Sequence, residues 1–254
     1  MPHVARLNIA PVRSLGLETR DEILLTPDGV AEDRRFYVID GGGRLVDQLT
    51  SGEMVQVTAW TDPEATRLRL TFPDGTTVDD EVRLLDPVET AVHGRTAQGH
   101  LVDGPWAERL GAFLGRTVQI VRCDRIGGTR SAHPATLLTD GSMDALAAVL
   151  GVGDLDARRF RMLIDLENGG AHEEDTWIGG RIGLGETVLL ISAPVARCAM
   201  TTHDPSTGER DYDTLRAIKD YRGQVNGKDL MFGVWGEVET PGRIRLGDEV
   251  RLLD

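Results

Sequence analysis

No apolar run in this 254-residue chain approaches the ~20 residues that a membrane-spanning helix needs. The opening residues, M-P-H-V-A-R-L-N-I-A, lack the long apolar centre of a secretory signal, so a cytoplasmic protein is expected. Cysteine is scarce. Cys123 and Cys198 are the two present, and their spacing suggests no disulfide framework. Without a C-x-x-C pair, neither a zinc finger nor a cysteine-ligated iron–sulfur cluster has a ligand set. Positive charge is also short: 28 Lys and Arg stand against 41 Asp and Glu, a formal net charge of −13. That balance argues against a nucleic-acid surface, because phosphate backbones require concentrated cations. A small anionic ligand stays open wherever a few arginines converge; otherwise the acidity favours solubility. Neither a Walker A loop nor a G-x-G-x-x-G fingerprint occurs, and there is no internal repeat.

The rest of the composition is ordinary for a globular protein, with 40% hydrophobic and 27% charged residues, enough for one large domain or two small ones. Short apolar runs at Val4–Ile9, Ile23–Leu25, Phe36–Ile39, Met54–Trp60, Leu68–Phe72 and Val118–Val121 read as strands. Pro27-Asp28-Gly29, Gly41–Gly43 and Pro73-Asp74-Gly75 punctuate them as turns. Helical periodicity predicts three helices: Pro105–Leu114, about Gly141–Leu150 with Thr139 or Asp140 as its cap, and Thr214–Tyr221. Arg243–Leu253 reads as two short strands around Gly247-Asp248. The class is therefore mostly β with peripheral helices, as a barrel or sandwich. A soft boundary falls near Cys123, giving a β-rich region 1–122 and a mixed region 123–254.

The chemistry gathers at Pro194–Glu209, P-V-A-R-C-A-M-T-T-H-D-P-S-T-G-E. Val188–Ile191 before it reads as a buried strand, expected to break at Pro194, and Asp204–Gly208 closes the segment as a turn. A thiol at Cys198 beside the cation of Arg197 is placed to ionise, since a neighbouring positive charge favours the thiolate. A lone cysteine is otherwise an ordinary buried packing residue.

R-C-x-M-T-T-x-D-P-x-T-G in this segment resembles the signature of the MOSC family, named after the C-terminal domain of molybdenum-cofactor sulfurase. Ala10–Leu17, Gly29–Phe36, Arg159–Arg161, Glu174–Trp177, Phe232–Val234 and Gly242–Val250 follow the family's order, so the resemblance spans nearly the whole chain. It implies a MOSC β-barrel over 123–254 and a β-rich N-terminal region over 1–122. The first thirty-odd residues are expected to return to complete the cofactor site. The implied cofactor is molybdenum bound to molybdopterin, with Cys198 as the protein's metal ligand; a rival family role is a sulfur carrier with a persulfide on Cys198. The implied reaction is reduction of N-hydroxylated compounds. Electrons would come from an external partner, a cytochrome b5-like protein, ferredoxin or flavoprotein, because the chain has no flavin, haem or fused ferredoxin motif. A family-level association with pyridoxal phosphate comes with the same resemblance.

Residue by residue, the resemblance implies cofactor contacts from Arg13, Ser14, Arg34 and Arg161, and Thr139 and Arg197 are further candidates for the cofactor. Arg13 stands where relatives usually have lysine, which keeps the charge but replaces a compact ammonium with a planar fork. Leu163 stands where relatives often have asparagine. For Arg34 a plain salt bridge to Asp33 is the competing reading. Thr139 offers a hydroxyl at the start of a helix whose free N–H groups suit an anion. Asp175 is a carboxylate candidate near the metal, as proton donor or partner of Arg161, whereas Glu173 and Glu174 read as an exposed acidic loop. Trp177 reads as core. His203 is the best placed proton carrier, with His133 and His172 behind it. A Cys198–His203–Asp204 hydrolase is disfavoured, because a triad orients its base from elsewhere in the chain and no nucleophile elbow surrounds the thiol.

Overall fold

A computed structural model describes residues 1–130 and 133–253. The N-terminal half supplies β1 (His3–Ile9), β2 (Glu18–Arg20), β3 (Glu22–Leu25), β4 (Phe36–Asp40) and β5 (Leu45–Val46). Then come β6 (Thr58–Thr61), β7 (Arg67–Thr71), β8 (Thr77–Glu81), β9 (Arg83–Val92) and β10 (Arg95–Asp103). Helix α1 (Trp106–Leu114) leads to β11 (Val118–Cys123). Beyond it lie β12 (Ala135–Thr139), α2 (Asp140–Leu150), β13 (Ile164–Glu167), β14 (Arg181–Leu184) and β15 (Thr187–Ala196). The chain closes with α3 (Thr214–Arg222), β16 (Met231–Thr240), β17 (Gly242–Arg245) and β18 (Arg251–Leu253).

An eight-stranded sheet, ordered β18-β14-β15-β16-β12-β13-β1-β2, carries the C-terminal half. Its pairs are antiparallel except β12 with β13, which run parallel because the connection between them crosses over through α2. A five-stranded sheet β5-β4-β11-β10-β9, the meander β6-β7-β8 and the pair β17-β3 complete the β structure. These orders are open, and among the described residues no sheet closes into a hydrogen-bonded ring. The mostly-β class with peripheral helices holds. Strand β1 joins the large sheet through β13, with Leu7 opposite Ile164, so residues at the very start of the chain share a sheet with 135–253. One apolar core lies in that sheet around Leu7, Ile9, Ile164, Ile191 and Trp177. A second, around Phe36, Met54, Leu70 and Trp106, fills the N-terminal half. A third packs α2 and α3 on Phe160 and Phe232.

The three helices form where periodicity places them, and their caps explain their ends. Thr139 caps α2, and both α1 and α2 stop at glycines in the left-handed region, Gly115 and Gly151. Two expectations need correction. Met54–Trp60 is not one strand: Gly52–Gln56 makes a 3-10 turn, and β6 starts at Thr58. The Asp47 carboxylate accepts the Leu49 and Thr50 amides at 3.1 and 3.2 Å, which curls the chain just before this apolar run. Nor does the chain break at Pro194. β15 continues to Ala196 with Pro194 opposite Val234, and register shifts on either side absorb the missing N–H.

The turn after Cys198 reaches across to the N-terminal half. Gly208 lies backbone to backbone against Gly52, and Gln56 donates to the Thr207 carbonyl at 2.9 Å. A Cβ on Gly208, whose φ is +81°, would overlap the Gly52 carbonyl oxygen. Gly208→Ala should therefore cost at least about 2 kcal/mol in urea unfolding. Gly153→Ala, which meets nothing within 4 Å, should change stability by less than about 0.5 kcal/mol. Equal midpoints for the two variants would show that the two halves do not touch there in solution.

Candidate functional site

Five segments that end or begin strands converge on a cavity of about 300 Å³. The loop after β1 brings Arg13 and Ser14, and the turn before β4 brings Asp33 and Arg34. Arg130 and His133 precede β12, Arg159–Leu163 precede β13, and Val195–Thr201 contribute the end of β15 with Cys198. Six arginines line this cavity against one carboxylate among the described residues, in a chain whose net charge is −13. Cys198 is exposed, at the start of a 3-10 turn over Ala199–Thr202, whereas Cys123 is buried in the core as expected.

The arginines are held mainly by backbone carbonyls. Arg13 donates to Thr129, Arg161 to Leu15 at 2.8 Å, and Arg130 to Asp28 and Pro134. Arg197 donates to Phe232 at 2.7 Å and Phe160 at 3.1 Å, with its guanidinium 5.1 Å from the Phe160 ring. Burial, reinforced by the neighbouring Arg34, pushes Arg13 down to about 10 and Arg161 down to about 9. Burial likewise pushes Arg197 to about 9, opposed first by Cys198. All three remain charged at neutral pH. Two arginines do have carboxylates. Arg34 pairs with Asp33, so the salt bridge expected as its competing role exists while the residue also lines the cavity. Arg159 grips Asp211 through both oxygens at 2.8 and 3.1 Å and donates to the carbonyls of Thr201 and His203, which pins the turn that carries Cys198.

Two further features point to a ligand. Ser14 Oγ and Arg13 Nε are buried without a partner among the described residues, and buried polar atoms ordinarily have one. Ser14, Arg34 and Arg161 also sit at positive φ of 68°, 53° and 52°, a strained conformation for residues with side chains. The donor set therefore suits an anion at the arginine wall and a soft metal at the exposed thiol. Pyridoxal phosphate fits less well: it is held as a Schiff base by lysine, and no lysine is among the lining residues.

Arg13, Ser14, Arg34, Arg161, Arg197 and Cys198, all singled out in the sequence, meet here, and so does His133. Three others lie outside the cavity lining. Thr139 caps α2 and bonds Glu174 Oε2 at 2.6 Å, while Asp140 accepts the Gly141 amide, so that helix start is already occupied. Asp175 pairs with Arg222 rather than Arg161. His203 accepts from Arg210 Nε at 3.3 Å, and Asp204 caps the Ser206 and Thr207 amides at 2.8 Å, so no triad forms on Cys198. Glu174 is not exposed. It is wholly buried, bonded by Thr139 and Ser142, and burial raises its pKa. Trp177 is core, and Leu163 places an apolar side chain in the cavity wall. Arg130 carried no legible signal in G-G-T-R, because only the fold brings that turn to the site.

Likeness to known proteins follows the same outline. The family description "MOSC domain" matches residues 106–251, and "MOSC N-terminal beta barrel domain" matches residues 1–115. Mitochondrial amidoxime-reducing component 1 of Mus musculus is 26% identical over 281 residues, covering 98% of this chain and 82% of the relative. Molybdenum cofactor sulfurase of Caenorhabditis briggsae is 25% identical over 276 residues, covering 100% of this chain but 36% of the relative. The solved YUAD protein from Bacillus subtilis covers 98% of this chain and 94% of its own, at a TM-score of 0.45 and 12% identity.

The two kinds of arginine should separate by mutation. Arg159→Met leaves Asp211 without its partner and should cost about 3 kcal/mol in urea unfolding. Arg13→Met removes a buried cation that has no carboxylate partner, at nearly conserved volume, and should cost less than about 1.5 kcal/mol. Comparable losses for both would mean that Arg13 props the fold and is not held ready for a ligand.

Proposed function

The chain belongs to the MOSC family, and from that premise we propose a molybdenum-cofactor oxidoreductase that reduces the N–O bond of N-hydroxylated compounds. Cys198 is the protein's ligand to the metal. The observation that carries this reading is a single exposed thiol at the edge of a cavity walled by arginine. The name of the mouse relative, matched over 98% of this chain, supplies the substrate class, an amidoxime or similar N-hydroxylated compound.

When bound, the cofactor supplies a metal that changes oxidation state by two electrons and a pterin phosphate that is anionic. The chain's own residues do the remainder. Arg13 Nε and Ser14 Oγ, buried and unpartnered, are donors for the phosphate. Cys198 would offer its thiolate as the protein's ligand to that metal. Arg197 braces the strand end beneath Cys198 through two carbonyls and the Phe160 ring. Phe160, Met162 and Leu163 keep one wall apolar, which strengthens charge interactions beside it. The balance is R–NHOH + 2 e⁻ + 2 H⁺ → R–NH2 + H2O, with solvent giving the protons and a one-electron protein giving the electrons. A cytochrome b5-like protein, ferredoxin or flavoprotein fits that part, because the 254 residues contain no dinucleotide fingerprint.

A second reading, a sulfur carrier with a Cys198 persulfide, has its own support in the sulfurase relative matched over the whole chain. Metal and pterin analysis of the purified protein divides the two readings. Stoichiometric molybdenum is expected; metal-free protein with cyanide-releasable sulfur on Cys198 would favour the carrier. With reduced viologen, metal-replete wild type should reduce a model amidoxime, while NADH alone should give no turnover. Cys198→Ser should lose activity at least about a hundredfold, whereas Cys123→Ser retains it. Equal activity of Cys198→Ser and wild type would refute the ligand assignment.

A further inference from the structure

His133 enters the cavity just ahead of β12, and its ring lies flat on Trp235 of β16, with centroids 4.2 Å apart and planes 23° apart. The stack fixes the imidazole in place. Its Nδ1 is buried and has no hydrogen-bond partner among the described residues, so there one ring nitrogen is left unanswered. The charges around it share one sign. Burial lowers its pKa, and Arg197, Arg95 and Arg130 push the same way. Arg13, Arg34, Arg159 and Arg161 line the same cavity, as does the Cys198 thiol. The cavity's carboxylate, Asp33, is already committed to Arg34 and to the Ala10 amide. A protonated imidazole is therefore disfavoured while those guanidinium groups go unanswered, and an anion seated among them reverses the balance.

We propose that the cavity takes up its anionic occupant together with one proton, carried by His133. The inference rests on the cavity being an anion site and needs none of the reductase chemistry. Once protonated, both ring nitrogens donate, and the orphaned Nδ1 has an acceptor to meet. The sign follows from linkage. Binding an anion raises the His133 pKa, so affinity grows as pH falls through the raised value and levels off below the lowered value of the free protein. Between those limits the dependence approaches tenfold per pH unit. Above the raised value the proton is absent and the gain is gone. The site thus holds its anion more firmly in mild acid and releases it more readily in alkali.

Sulfate is the probe, because its charge is constant from about pH 5.5 to 8.5, where histidine titrates. Calorimetry on the full chain in two buffers of different ionisation enthalpy should show proton uptake approaching one per sulfate. Affinity should rise by up to about tenfold per unit fall in pH. His133→Gln should still bind sulfate but without that pH dependence. Should His133→Gln fail to fold, histidine-ring NMR on the wild type replaces it. The resonance shifted by the Trp235 ring must titrate at higher pH with sulfate than without. Zero proton uptake, an unmoved resonance, or the same pH dependence in His133→Gln would overturn the proposal. No difference in sulfate binding between wild type and Arg13→Met would instead overturn the anion site itself, a separate failure.

Discussion

Guanidinium groups confined in a small space repel one another, and the way this chain holds them sets what its cavity can accept. A carboxylate beside each arginine would remove the repulsion, and with it the attraction for an incoming anion. Four of the six are instead fixed by main-chain carbonyls: Arg13 on Thr129, Arg130 on Asp28 and Pro134, Arg161 on Leu15, and Arg197 on Phe160 and Phe232. A carbonyl orients a guanidinium and satisfies its N–H groups without cancelling its charge. Burial lowers the pKa values of Arg13, Arg161 and Arg197, and the neighbouring Arg34 adds to the effect at Arg13 and Arg161. The two arginines that do have acids serve the frame. Arg159 ties Asp211 to the turn carrying Cys198, and Arg34 satisfies the buried Asp33.

Holding charge in this way requires an over-determined backbone. Ser14, Arg34 and Arg161 sit at positive φ, at a cost of about 1–3 kcal/mol each, and persist only because their surroundings fix them. The Arg34 amide donates to Ala10, the Arg34 side chain reaches the Arg161 carbonyl, and the Thr129 hydroxyl closes on the Arg34 carbonyl. Leu15 is held in turn by Arg161. Four segments, around Ala10–Leu15, Arg34, Thr129 and Arg161, are thus locked into one rim. The lock exists because β1 leaves the N-terminal half and pairs with β13 in the large sheet, with Leu7 opposite Ile164.

This division explains what the sequence revealed and what it hid. Helices α1, α2 and α3 were legible because their apolar spacing and caps are local, as were the β1, β4 and β7 runs. The cavity-lining residues Arg13, Ser14, Arg34, Arg161 and Cys198 were legible through the ordered motifs that contain them. Asp175 and His203 sit in the same kind of motif and Thr139 at a helix start, yet their side chains turn to Arg222, Arg210 and Glu174 respectively. A motif fixes where the backbone goes but not which way a polar side chain finds its partner. Glu174 shows the converse: an apparent acidic surface run places one carboxyl in the interior, where two hydroxyls satisfy it. Arg130 and the stack of His133 on Trp235 depend wholly on tertiary contact, so no local pattern announces them.

The sign of charge changes between surface and cavity, and that change bears on which ligands stay and which only visit. A chain of net charge −13 repels a free anion at long range, while its arginine-lined cavity draws one in only near the mouth. Attraction is greatest inside, where low dielectric strengthens it. Slow entry combined with strong local holding suits a resident group better than a substrate that must exchange at every turnover. On the proposed reading the anionic cofactor is that resident, and a neutral N-hydroxylated compound pays no such entry penalty on its way to the exposed Cys198 edge. On the same reading, a one-electron donor with a basic docking face would be drawn to this surface. Surface acidity and buried arginine would then sort the three proposed components, repelling free anions while admitting a neutral substrate and favouring a cationic donor.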